Sequence, residues 1–288
     1  MKSHLLGAVL LLALIGLTHA DPLRVPVWPD KEAPNGDATT SPATTTLTIY
    51  QPERPNGCAM IICPGGGYGG LVTGPEGSGI AKWLNQHDIT GLVLEYRLPK
   101  GRSAVPLLDA RRAIRLARAN AETWKINPKR LGIIGFSAGG HLASTASTHF
   151  DAGNANSQDP IERLSSRPDF AILVYPVISM GELSHAGSRN NLLGPNPPAG
   201  LLDLYSSEKQ VTAQTPPTFL AHAKDDKLVS PENSRLFAAA LEAKNVPVEY
   251  LELPNGGHGL SGYKGPSWDA WQAACLKWLG TEGLLSFK

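Results

Sequence analysis

The chain has 288 residues, of which 42% are hydrophobic and 18% charged, and its formal net charge is +1. That hydrophobic share supports a sizeable core and excludes a disordered chain. A charge so close to zero leaves no electrostatic footprint for nucleic acid or an anionic membrane, and neither is expected as a partner.

Residues 1–20, MKSHLLGAVLLLALIGLTHA, begin with a lysine, continue in an uncharged apolar run from Leu5 to Leu17, and end on Thr18-His19-Ala20. A basic start, a short apolar stretch and small residues at the end are the layout of a signal peptide, with Asp21 as the expected mature N-terminus. As a helix the apolar run reaches only about 20 Å, too short for a membrane anchor. The expectation is a secreted or periplasmic protein. Residues 21–46, rich in Pro, Thr, Asn and Asp, read as an extended lead-in to a single domain over 47–288.

Within that domain strand-like and helical patterns alternate. TLTIY (46–50) and CAMIIC (58–63) predict strands, followed by a helix around 76–87 and the strand TGLVLEY (90–96). An amphipathic helix over 106–122 sets Leu107, Ala110, Ile114 and Ala117 on one face. The strand LGIIGF (131–136), a helix from Ala138 and the strand FAILVY (170–175) follow. PTFLAH (217–222), a helix over 231–244, VEYLEL (248–253) and a helix over 266–279 complete the series. Such alternation predicts a mostly parallel sheet covered on both faces. Residues 179–215 interrupt it with Gly, Pro, Asn and Ser, and their position after a strand suits a cap over a site. Trp268, Trp271, Cys275 and Trp278 share one helical stripe, which predicts burial against the sheet. Cys58, Cys63 and Cys275 fit no disulfide, zinc or redox spacing and read as small buried hydrophobes.

The chemistry centres on Gly135-Phe136-Ser137-Ala138-Gly139, a G-x-S-x-G placed where a predicted strand passes into a helix. The motif alone is weak; its strand–turn–helix context strengthens it, since such a turn holds the serine proud of the sheet. A serine hydroxyl needs a base and an orienting acid, here expected in the order Ser, Asp or Glu, His. Of eight histidines, His4 and His19 lie in the leader, and only His258, in Gly256-Gly257-His258-Gly259, follows the last predicted strand. His141 reads as a packed helix residue, His222 as a support for the acid loop, and His185 as either a substrate contact or a solvated loop residue. After the strand ending at His222, Asp225 and Asp226 both stand where the acid is needed, and their opposite side-chain directions let only one face the histidine. The run Pro64-Gly65-Gly66-Gly67-Tyr68 follows an early strand, where backbone N–H groups can converge on an oxyanion together with that of Ala138. It lacks the Gly-Lys-Ser/Thr ending of a phosphate loop.

PGGGY, GFSAGGHLAS, AKDDKLV and GGHG, in that order, resemble the alpha/beta-hydrolase esterases. Among them the chain is similar to the bacterial acetyl esterase and acetylxylan-esterase-like group, related to the hormone-sensitive-lipase-like enzymes. The cap piece GELSHAGSRNNLLG resembles secreted members of that group. The resemblance implies the alpha/beta-hydrolase fold with a short cap insertion. It implies Ser137 as nucleophile, His258 as base and Asp226, with Asp225 as the alternative, as orienting acid; the H-G-x-x-D-x-x-V pattern of such hydrolases, counted from His222 to Val229, selects Asp226. Gly66, Gly67 and Ala138 become the oxyanion-hole donors, with no cofactor and no metal. Related lipases carry a histidine before the three glycines, where this chain has Pro64. The implied substrate is an ester, an acetylated oligo- or polysaccharide of xylan type. Glycosidic cleavage is not expected, because it uses paired carboxylates rather than an acyl-transfer set. The rivals are a serine peptidase of the same fold, which would normally carry an extra propeller or helical domain, and a binding protein that has lost catalysis.

Overall fold

The computed structural model describes residues 21–28, 32–37, 39–42 and 44–285; the expected signal peptide, residues 1–20, lies outside the described residues. The apolar runs form an eight-stranded sheet of β1 (Leu23–Pro26), β4 (Thr46–Tyr50), β5 (Ala59–Cys63), β6 (Thr90–Glu95), β7 (Leu131–Phe136), β8 (Ala171–Val174), β9 (Thr218–Ala223) and β10 (Val248–Leu253). Their order is β1-β4-β6-β5-β7-β8-β9-β10. Only β4 opposes its neighbours; β6, β5, β7, β8, β9 and β10 pair in parallel.

Strand composition follows from position. β5, β7, β8 and β9 are buried along their whole length, as expected where helices cover both faces. On one face Ile61, Ile133 and Leu173 pack against α2 (Ala104–Ala119), α3 (Ala138–Thr148) and α6 (Glu232–Ala243). On the other, Ile62, Ile134 and Ile172 meet α1 (Gly79–Asn85) and α8 (Pro266–Thr281). The expected tryptophan stripe of α8 is buried, with Trp271 seated 5.9 Å from the Phe136 ring. All three cysteines are buried and unbridged. Among the described residues no helix is long and apolar enough to cross a membrane.

Two segments are more ordered than their composition suggests. The lead-in contains β1, which pairs with β4 at the sheet edge, and a small hairpin of β2 (Glu32–Pro34) and β3 (Thr40–Pro42). It docks on a buried carboxylate of α2: Asp109 accepts from Trp28 Nε1 at 2.8 Å and Thr45 Oγ1 at 2.9 Å, and pairs with Arg97 at 2.8 Å. The cap insertion holds α4 (Ala186–Leu193) and α5 (Ala199–Tyr205).

Candidate active site

Ser137 occupies the single residue between β7 and α3 with φ 53° and ψ −120°, a conformation that costs free energy and persists because its surroundings impose it. Its carbonyl accepts from Val177 N at 3.0 Å and His141 N at 3.1 Å. The flanking glycines are needed for close approach. A Cβ on Gly135 would stand 2.1 Å from Gly139 O, and one on Gly139 would stand 2.1 Å from Cys63 O. The turn thus welds the serine to the end of β5, from which the glycine loop departs.

His258 follows β10 in a loop whose glycines Gly256, Gly257 and Gly259 all take positive φ (132°, 57° and 80°). Its Nε2 lies 2.9 Å from Ser137 Oγ, and its Nδ1 lies 2.8 Å from Asp226 Oδ2. Asp226 is buried, and its Oδ1 accepts from Leu228 N at 2.9 Å and Val229 N at 3.0 Å. Burial opposes its charge, but hydrogen bonds from His222, His258 and Val229 outweigh that cost and hold the carboxyl well below the usual carboxylate range. Asp225 is exposed and accepts instead from Gly257 N at 2.8 Å, so it anchors the histidine loop without reaching the imidazole. The fully buried His222 braces the acid loop through Val229 O at 3.0 Å and Asp226 Oδ2 at 3.3 Å.

The glycine loop passes beside the serine: a Cβ on Gly65 would lie 3.0 Å from Ser137 Cβ. The N–H groups of Gly66, Gly67 and Ala138 have no acceptor among the described residues, which leaves three donors free at this corner. Ala138 opens α3, where a backbone N–H has no partner within the helix.

Two residues of the site were not anticipated from sequence. Glu76, buried behind the loop, accepts from Gly65 N at 2.6 Å and from Tyr175 Oη at 3.0 Å, and also bonds Tyr263. Burial pushes its carboxyl up, against those hydrogen bonds. Tyr175, at φ 39° just past β8, sets its ring 4.9 Å from His258. Nothing in the sequence marks Glu76 except that it is an acid in a largely apolar stretch; its role exists only once three separate segments converge.

His141 is fully buried and bridges the loop to the cap, with Nδ1 2.8 Å from Tyr68 Oη and Nε2 2.8 Å from Tyr205 O. The carbonyl can only accept, so Nε2 carries the hydrogen and Tyr68 donates to Nδ1. Burial pulls His141 down from 6.5 to about 4. Between those values the unfolded chain binds a proton that the folded chain refuses, so stability falls as the pH drops through this window, by as much as about 3 kcal/mol. His141→Gln, which can accept from Tyr68 and donate to Tyr205, should flatten the decline in urea midpoint between pH 7 and pH 4.5. An equal decline in both proteins would refute the assignment.

The sheet, the strained serine and the imidazole poised between hydroxyl and carboxylate define an alpha/beta hydrolase. Similarity to known proteins then narrows the class. The BD-FAE family model matches residues 47–241, and the chain belongs to that family. It is similar to endo-1,4-beta-xylanase B of Butyrivibrio fibrisolvens, 40% identical over 206 residues that cover 70% of this chain and 32% of that protein. It is likewise similar to an acetylxylan esterase of Xylanibacter ruminicola, 38% identical over 219 residues covering 74% of this chain and 43% of that protein. The chain therefore spans less than half the length of these curated relatives. The solved structure of an acetyl ester-xyloside bifunctional hydrolase from Caldicellulosiruptor lactoaceticus superposes with a TM-score of 0.86 at 40% identity, over 94% of this chain and 100% of that one.

Proposed function

We propose that this protein is a serine carboxylic-ester hydrolase that removes acetyl groups from carbohydrate esters of xylan type, and that it acts outside the cytoplasm. The observation that carries the chemistry is His258, held 2.8 Å from Asp226 and 2.9 Å from Ser137. In this reading His258 Nε2 takes the Ser137 proton as Oγ attacks the ester carbonyl. The N–H groups of Gly66, Gly67 and Ala138 receive the oxyanion, and Asp226 holds the imidazolium that forms. The alcohol departs with the proton from His258, leaving acetyl on Ser137. Water, deprotonated by His258, then releases acetate.

The carbohydrate part rests on the acetylxylan esterase and acetyl ester-xyloside relatives. The latter is also named for xyloside cleavage. Near Ser137 the carboxylates of Asp226 and Glu76 are both buried and engaged by hydrogen bonds, so they are poorly suited to serve as a free acid–base pair at a glycosidic bond. Export rests on the leader-like residues 1–20.

The test is acetate release from acetylated xylan and from 1-naphthyl acetate, with an aryl xyloside as third substrate. The protein would be collected from the periplasm or medium of an expressing host, its first residue expected to be Asp21. Acetate from both esters is the expected result. Aryl ester turnover alone would discard the polysaccharide, aryl xyloside cleavage would contradict the ester-only reading, and an intact, cytoplasmic chain would discard export.

A further inference from the structure

The cap carries an imidazole that acyl transfer leaves unused. His185 closes the N-terminus of α4, with Nδ1 3.2 Å from Ser188 N and 2.9 Å from Ser188 Oγ. A backbone N–H can only donate, so Nδ1 is the acceptor and Nε2 carries the hydrogen of the neutral ring. Burial, and then the neighbouring His258, lower the basicity of His185 and favour that neutral form. Nε2 itself has no hydrogen-bond partner among the described residues.

The position of this free donor is fixed twice over. The ring Cε1, bonded to Nε2, lies 3.9 Å from the point that a Cβ on Gly67 would occupy. Further along α4, Asn191 Nδ2 donates to Gly67 O at 2.8 Å, and Asn191 O accepts from Gly101 N at 2.9 Å. The helix that carries His185 is therefore tied directly to the loop that offers the oxyanion donors. A half-buried imidazole, locked in one tautomer, thus stands beside that loop with its Nε2–H unpaired among the described residues.

We propose that His185 is a specificity-determining residue whose Nε2–H donates to a hydroxyl or ring oxygen of the sugar that bears the acetyl group. This assignment rests on the acetyl-ester reading above. An acetyl group ends one carbon beyond its carbonyl, so any substrate atom that reaches the cap belongs to the alcohol. A saccharide offers acceptor oxygens there, whereas a naphthyl group offers none.

His185→Asn separates this role from the structural one. Asparagine is a strong N-cap and can still accept from Ser188 N, yet it is too short to place a donor where Nε2 stands. Wild type and variant are compared on an acetylated xylo-oligosaccharide and on 1-naphthyl acetate, with melting temperature as a control on the fold. The expected result is a loss of about tenfold in kcat/KM on the oligosaccharide, mostly through KM, with naphthyl acetate changed less than about twofold. Equal losses on both substrates would mean that His185 acts through the loop geometry and would overturn the proposal, as would no loss on either. Wild-type protein that cleaves naphthyl acetate but no carbohydrate acetate would remove the functional reading itself, a result visible before any variant is made.

Discussion

Ser137→Ala should abolish turnover, lowering kcat by about 10⁵- to 10⁶-fold, while the melting temperature stays close to that of the parent. The two outcomes separate because the strain at this position belongs to the backbone. Alanine keeps the Cβ at φ 53° and loses only the hydroxyl that His258 contacts at 2.9 Å. The carbonyl of residue 137, which accepts from Val177 and His141, is untouched. Such a variant should still bind substrate, but mass spectrometry should find no acetylated protein, whereas the parent quenched in acid should show the added acetyl on Ser137. Substantial residual turnover would move the nucleophile elsewhere.

The adjacent aspartates should part by orders of magnitude. In Asp226→Asn an amide replaces the carboxylate that faces two imidazoles, His258 at 2.8 Å and His222 at 3.3 Å. An amide NH₂ directed at His258 turns that ring over to the tautomer with hydrogen on Nε2, which cannot take a proton from Ser137. A fall in kcat of about 10⁴-fold is expected. In Asp225→Asn the amide oxygen can still accept from Gly257 N, now reached at 2.8 Å, so activity should change by only a few-fold. Reversal of that order in the kcat values would reassign the acid.

Much of this arrangement is legible from one-dimensional pattern. Buried parallel strands are continuous apolar runs, and β5, β7, β8 and β9 read as such because helices shield both their faces. Ser137 and His258 are flanked by glycines because close approach or positive φ requires them, and that requirement is visible in the letters. The choice between Asp225 and Asp226 turns on the loop around Val229, and a spacing pattern favours the residue that the fold sets against His258. What stayed hidden is tertiary. Strands of three or four residues such as β1, β2 and β3 are too short to show a period, and the partner that fixes the lead-in is Asp109, far along the chain on α2. Glu76 joins Gly65, Tyr175 and Tyr263 from three separate segments, a convergence that no local pattern encodes. In the cap the apolar residues keep no helical period: of its apolar side chains α4 buries only Leu192 and Leu193, at its end, and it is otherwise tied by polar contacts, so a hydrophobic pattern reads it as irregular.

The hydrogen bond that the Asn191 side-chain amide donates to the Gly67 carbonyl also bears on how such proteins diversify. A cap that only covered the cleft could be exchanged between relatives to suit new polymers, leaving turnover intact. Here the exchangeable piece grips the reactive loop, so a grafted cap that lacks an amide in this register would disturb turnover and preference together. Chimeras are best cut so that Asn191 and Gly67 travel as a pair, and lineages that adopt new substrates are expected to alter the cap around that bond rather than through it.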